Sequence, residues 1–455
     1  MVAQIRSRRL SPVELVEAHL RQIEKHNPQL NAFVRVLGTE AMDAAKRAED
    51  RPAGDARGPL DGIPVTIKDS FDMEGLPTTC GSRFFAHLRA ANDATAVQRL
   101  RAAGAIPIGK TNCPEFLANY ETDNHVVGRT NNPWNAERTP GGSSGGESAA
   151  IASFCSAGGI GSDGGGSVRV PAHFCGIAGL KPTPGRVSAA GHLPEINHPG
   201  GLLGVAGPMA RTAEDVRILF EVLAGYDSQD PFSSPVPLRR PDLSGLRIGW
   251  MPQFYKVPVQ RAVSRAIEAA AACLRELGFE VEPFEPQGLE RAPNLWWFFF
   301  GELPARVTQE LIAGREDQAH WTGTEFLKRA LQDPEPTSKR LLQNLAIRDK
   351  MRAALLREME TVPVILLPVC GTTAFPHQAR RYATDGKEIG LFEAMMPSTV
   401  FNLLGMPAVT IPFGQDEDGL PVGVQLAGRP YDEEVLLELA VRMEQVRGPF
   451  PGPSL

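Results

Sequence analysis

The chain has 455 residues, 42% hydrophobic and 22% charged, the balance of a folded protein with enough apolar material to build its own core. A net charge of −6, with no dense basic stretch, argues against nucleic acid as a direct partner. Six cysteines without a C-x-x-C and nine histidines without an H-E-x-x-H exclude a disulfide framework, predict no metal site and favour a reducing cytoplasm.

Length alone allows about three domains. The N-terminus, M-V-A-Q-I-R-S-R-R-L, has no apolar h-region. The longest apolar runs, Leu295–Phe300 and Val362–Val369, fall far short of the ~20 residues of a membrane span, so no leader and no membrane partner are expected.

Ser11-Pro12-Val13-Glu14 is a capping box, and Val13, Val16, Leu20 and Ile23 continue at helical spacing to Asn27-Pro28, where the helix is predicted to end. A second helix is predicted over Thr39–Asp50, then a Pro/Gly/Asp-rich loop over Arg51–Gly62. In Ile63–Asp69, Val65 and Ile67 alternate with polar neighbours as in a short strand; Lys68 at its end reads, alone, as a solvated terminus. Asp93–Ala103 reads as a helix closed by Gly104, and Ile106–Ile108 as a strand. Gly104–Thr111 matches the P-loop pattern G-x-x-x-x-G-K-[ST], but a P-loop follows a strand and opens a helix. This segment follows a helix, carries Pro107 in its middle and meets Pro114, so the match is read as coincidence.

Residues 124–140 are loop-like and lead into Pro140–Arg169, where two glycine clusters, Gly141–Gly146 and Gly164–Gly166, stand beside serines with a helix predicted over Ser148–Ser156 between them. After Val170–Arg186 come a Gly/Pro/His loop to about Gly207 and a helix over Thr212–Ala224. Gln229–Gly245 is Pro-rich and reads equally as a linker or a long surface connection. Strand Leu246–Trp250, helix Gln260–Leu277 and strand Phe279–Phe284 then alternate in the manner of an α/β fold. Leu295–Phe300 is an aromatic run, read mainly as a buried helix of which one or two rings line a pocket. Arg340–Met359 is a charged amphipathic helix and Val362–Val369 a buried strand. Pro407–Phe413 and Leu420–Leu426 are two strands joined by Gly414–Gly419, and Glu433–Val446 is a closing helix. There is no internal repeat.

Glycine clusters beside hydroxyls let main-chain N–H groups approach a ligand without Cβ atoms in the way. Three readings fit. Gly142-Ser143-Ser144-Gly145-Gly146 satisfies G-x-S-x-G, the nucleophile elbow of α/β-hydrolases, with Ser144 as nucleophile and His192, His198, His320 or His377 as its base; an elbow needs a strand running into it, and Glu137–Pro140 is none. A phosphate cradle explains the first cluster but not Asp163–Arg169.

The third reading is a resemblance. G-G-S-S-G-G-E-S-A-A, G-S-D-G-G-G-S-V-R-V-P-A, C-G-I-A-G-L-K-P-T-P-G-R and the upstream I-P-V-T-I-K-D together resemble the amidase signature family, as do T-N-C-P-E-F, G-R-T-N-N-P-W and the C-terminal N-L-L-G-M-P-A-V-T-I-P-F-G…G-L-P-V-G-V-Q-L-A-G. The resemblance implies a single α/β/α fold over residues 1–455, a mixed central sheet covered by helices on both sides, with 230–390 a poorly matched, substrate-shaping middle. It implies Ser167 as nucleophile, Ser143 as a second serine at a cis peptide, and Lys68 as base. The N–H groups of Gly164, Gly165, Gly166 and Ser167 would form an oxyanion hole. Ser144 would support Ser143, an Asp163–Arg169 pair would brace the loop, and Leu117 would line the substrate wall. Gly164 departs from the family, which usually has a larger residue there.

No cofactor is implied. The expected partner is a small amide, on a monomer or homodimer. The expected activity is a stand-alone amidase for apolar or aryl amides, with esters and carbamates as further substrates. The alternative is the glutaminase component of a tRNA-dependent amidotransferase.

Overall fold

The structure, a computed structural model, describes residues 1–51, 58–196 and 203–455. In chain order its strands are β1 (Phe33–Val36), β2 (Pro64–Lys68), β3 (Ile106–Thr111), β4 (Gly158–Asp163), β5 (Ala178–Lys181), β6 (Val205–Ala210), β7 (Arg247–Trp250), β8 (Glu280–Pro283), β9 (Val364–Pro368), β10 (Arg381–Ala383), β11 (Glu388–Gly390), β12 (Ala408–Gln415) and β13 (Pro421–Gly428). β10 and β11 form a small hairpin, and the other 11 make one sheet in the order β1-β3-β2-β4-β6-β5-β12-β13-β9-β7-β8. β2 runs parallel to β3 and β4, as β7 does to β8 and β9; the remaining pairs are antiparallel. The expected mixed α/β sheet is therefore present, and strands of the middle region form its far edge.

Alternation along β2 sorts the two faces. Val65 and Ile67, with Ile160 of β4, join the largest apolar cluster, shared with helices Thr95–Ala102, Ala213–Leu223, Arg261–Glu276 and Glu433–Arg447. Thr66 and Lys68 point the other way, toward helix Gly145–Ala152. That helix lies directly on β4. A Cβ at Gly159 would sit 2.1 Å from Glu147 Oε1, and one at Gly161 2.7 Å from Ser144 Oγ.

Several elements differ from the sequence reading. The first long helix, Pro12–Leu30, keeps its Ser11 capping box but runs through Pro28 to a left-handed cap at Asn31. Pro28 removes one donor near the helix end, and Asn27 Oδ1 ties the exit by accepting from the Ala32 and Phe33 N–H groups. The helix between the glycine clusters spans Gly145–Ala152, not Ser148–Ser156, and is followed by β4, which glycine-rich composition had concealed. The aromatic run forms helix Ala292–Trp297, continued by a π-helical turn at Phe298–Glu302. Gln229–Gly245 crosses the surface without helix or strand. Parts of the loops predicted over Arg51–Gly62 and up to Gly207, and His198 with them, lie outside the described residues.

Candidate active site

Lys68 is fully buried at the end of β2. Its Nζ donates to Ser143 Oγ at 2.7 Å, Ser144 Oγ at 3.0 Å and Ser162 Oγ at 3.1 Å. Among the described residues no carboxylate comes within bonding distance of it. Burial pushes the Lys68 pKa down to about 8, against smaller upward pulls from Cys113, Cys80, Asp163 and Glu147. Ser143 follows a cis peptide at Gly142–Ser143. Ser144 closes the gap between the glycine clusters, since its N–H donates to the Ser167 carbonyl at 3.1 Å.

Behind this group Glu147 is fully buried, accepting from Thr111 Oγ1 at 2.6 Å and from Thr66 Oγ1. Burial raises its pKa to about 7, with the two threonine bonds opposing. Ser162 and Glu147 were not singled out from the sequence. What could have found them is position: each lies within a motif already marked, close to a serine.

β4 ends at Asp163, and the turn to helix Arg169–Cys175 carries Ser167. The Asp163–Arg169 pair expected from the sequence is present, at 2.9 Å and with both side chains wholly buried. Burial alone would raise the Asp163 pKa, but the Arg169 charge and hydrogen bonds outweigh it and hold the carboxyl far below its usual range. The pair is embedded in the C-terminal motif. Arg169 reaches Gln425 Oε1 at 3.1 Å and the Ser398 carbonyl at 2.9 Å, while Asn402 Nδ2 donates to the Asp163 carbonyl at 2.8 Å. Breaking a buried pair of this kind costs about 3–5 kcal/mol.

The four expected oxyanion donors do not stand alike. Gly166 has φ +117, where only glycine is at ease, and its N–H already donates to Asp163 Oδ1 at 2.7 Å. It therefore braces the turn, and the N–H groups of Gly164, Gly165 and Ser167 remain. The glycine at 164 is explained by its neighbour: a Cβ there would meet Phe300 at 2.9 Å, and one at Gly165 would meet Trp296 at 2.4 Å. Two rings of the aromatic run, Trp296 and Phe300, thus cover the turn that carries Ser167. Leu117 is half-buried in the short turn Glu115–Leu117, and its hydrogen bonding stays within that turn. Tyr120, three residues on, donates its hydroxyl to the Gly165 carbonyl at 2.8 Å.

The rival motifs lose their context. Lys110 of the P-loop-like segment lies within β3, buried against Asp69 at 2.8 Å, and no helix follows it directly. Of the histidines considered as partners of Ser144, His192 bonds the Pro194 carbonyl, His320 caps a helix and His377 bonds the Ala136 carbonyl. Ser144 has a lysine instead. A cavity of about 560 Å³ lies elsewhere, at the C-terminal edge by Trp134, Arg211, Glu444 and Phe450.

Comparison with known proteins identifies the family. A family model described as Amidase matches residues 14–437. The chain is 36% identical to a Glutamyl-tRNA(Gln) amidotransferase subunit of Chloroflexus aggregans, over 96% of this chain and 93% of that protein. Among solved structures, a bacterial aryl acylamidase of the amidase signature enzymes superposes with TM-score 0.87 at 27% identity, covering 99% of this chain and 95% of that one. A vestigial protein complex described as revealing the evolutionary origins of an s-triazine catabolic enzyme superposes with TM-score 0.91 at 28% identity, covering 99% and 98%. Among the described residues no helix is long and apolar enough to cross a membrane. With its motifs, its mixed sheet and these relatives in agreement, the chain belongs to the amidase signature family of amide hydrolases.

Proposed function

We propose that the chain cleaves the C–N bond of carboxylic amides through an acyl-enzyme on Ser167, with Ser143 as proton relay and Lys68 as base. The observation that carries this reading is the buried, carboxylate-free Lys68 amine 2.7 Å from Ser143 Oγ. A serine hydroxyl is a weak nucleophile until a base takes its proton, and a lysine can take one only when neutral. In the proposed cycle, Ser167 Oγ attacks the carbonyl carbon while its proton passes to Ser143 and that of Ser143 to Lys68. The N–H groups of Gly164, Gly165 and Ser167 meet the oxyanion; each such donor is worth about 2.7–4 kcal/mol. Ser143 then protonates the departing nitrogen, and water hydrolyses the ester at Ser167 by the reverse relay.

Ser167→Ala is expected to abolish turnover, and mass spectrometry after a serine-directed phosphonate should place the adduct on Ser167. Full activity in that variant, or labelling at Ser144 instead, would overturn the assignment.

Two readings of the substrate have support. The named sequence relatives favour the alternative, release of ammonia from glutamine within a tRNA-dependent amidotransferase, and on the comparisons this reading is the better supported. The stacked Trp296–Phe300 pair, ring centroids 4.6 Å apart against Gly164 and Gly165, favours a stand-alone enzyme for apolar or aryl amides. A panel of glutamine, aliphatic amides, anilides, esters and carbamates, tested with and without the other amidotransferase components, separates them. Turnover of glutamine alone, and only in the assembly, selects the first; anilide turnover by the isolated chain selects the second.

A further inference from the structure

The turn that carries Ser167 is unusual in what holds its carbonyls. Asp163 C=O accepts from Asn402 Nδ2 at 2.8 Å, Gly164 C=O from Trp296 Nε1 at 2.8 Å, and Gly165 C=O from Tyr120 Oη at 2.8 Å. Gly166 C=O accepts from the Val170 N–H at 2.7 Å in the first turn of the next helix. The four successive carbonyls are therefore all committed, and the donors come from four separate parts of the chain.

In a trans peptide the C=O and N–H of one unit point in opposite directions, and the cis bonds of the described chain are elsewhere, at Gly142–Ser143 and Leu193–Pro194. Fixing a carbonyl in this turn thus fixes the direction of the following N–H. The Asn402 bond aims the Gly164 N–H, the Trp296 bond aims the Gly165 N–H, and the Tyr120 bond aims the Gly166 N–H onto Asp163 Oδ1. The three glycines have no side chains of their own to hold this arrangement, so an unclamped turn would sample other peptide orientations.

We infer that Trp296 and Tyr120 are positioning residues: Trp296 aims the Gly165 N–H through the Gly164 carbonyl, and Tyr120, by holding the Gly165–Gly166 peptide with its N–H on Asp163, fixes the backbone that joins the Gly165 and Ser167 donors. The inference rests on the serine-amidase reading above. It gives the aromatic run a second task beside packing: the indole ring covers Gly165 while its N–H holds Gly164. Preorganised donors contribute only when aimed at the place where charge develops, so the loss of either clamp should appear in the chemical step rather than in ground-state binding.

The test uses full-length protein with p-nitrophenyl acetate as substrate and phenylboronic acid as the tetrahedral mimic. Trp296→Phe keeps an aromatic ring and deletes the indole N–H; Tyr120→Phe deletes only the hydroxyl. Each is expected to lower kcat about 5–30-fold with KM within about twofold and to weaken phenylboronic acid by the same factor, Tyr120→Phe at a melting temperature close to that of the parent and Trp296→Phe at a somewhat lower one, since it also empties core volume. Trp297→Phe is the control, because it also removes an indole N–H, one that donates to Asp333 Oδ2 at 2.9 Å instead; it should leave kcat and boronate affinity unchanged. Unchanged kcat in both clamp variants overturns the inference. So does a loss carried by KM, or a loss of kcat with boronate affinity intact. Retained activity in Ser167→Ala is a different result and would sink the serine reading itself.

Discussion

Two buried lysines stand on neighbouring parallel strands, with opposite surroundings. Lys110 in β3 pairs with Asp69 at 2.8 Å and is further bonded to the Pro77 carbonyl at 2.8 Å and Thr78 Oγ1 at 3.1 Å. Lys68 in β2, whose neighbour Ile67 registers with Lys110 across the ladder, has serine hydroxyls and no carboxylate at bonding distance among the described residues. A buried lysine tied to a carboxylate is a structural brace; one among hydroxyls, as burial lowers its pKa, is suited to act as a base. The lysine with the more suggestive motif is the structural one. The proposed chemistry belongs to its plainer neighbour.

Substitutions at the two positions should therefore fail in different ways. Lys68→Met is expected to lower kcat about 10²–10⁴-fold, the usual worth of a positioned base, with little loss of thermal stability. Lys110→Met leaves Asp69 buried without its counter-charge and is expected to cost about 3–5 kcal/mol in denaturant unfolding. Loss of activity without loss of stability at Lys110, or the converse at Lys68, would break the comparison. The pH profile sharpens it. With the neutral amine as the proposed working form, kcat/KM should fall toward tenfold per pH unit below about 8 and level off above it. A profile flat from pH 6 to 9 would remove Lys68 from the role of base. The smallest effect is expected at Ser144→Ala, which removes a 3.0 Å bond to Lys68 and lowers kcat several-fold with the same pH midpoint.

The family and the mixed α/β class were legible in the sequence, whereas several single elements were not. Ser143, Ser167 and Lys68 could be picked out because they stand in long distinctive strings such as G-G-S-S-G-G and D-G-G-G-S, where contacts at main-chain distance leave little room for side chains. The same crowding hid β4, because G-G-I-G-S-D offers almost no side-chain alternation from which to read a strand. Pro28 misled for the opposite reason, as a helix-stopping residue in the last turn, where it removes a single donor and the helix continues to Leu30. Tyr120 and Asn402 were illegible as site residues, and Trp296 was legible only as one ring of a run expected in part to line a pocket, since what all three hold is backbone carbonyls elsewhere in the chain. The aromatic rings that cover Gly164 and Gly165 belong to the middle region where the motifs fall silent, so the departure at Gly164 and the aromatic run are one feature seen from two places in the sequence.

The long reach of the brace has a consequence for timing. Asp163 and Arg169 are held by Asn402 and Gln425, separated from them by 239 and 256 residues. At roughly 5–20 residues per second, a ribosome needs on the order of 10–50 seconds to pass from Ser167 to those partners. Through that interval the nascent chain carries its serines and lysine but an unbraced turn, and cannot present oriented N–H groups to an amide. The proposed nucleophile is made early, and the groups that support it arrive late.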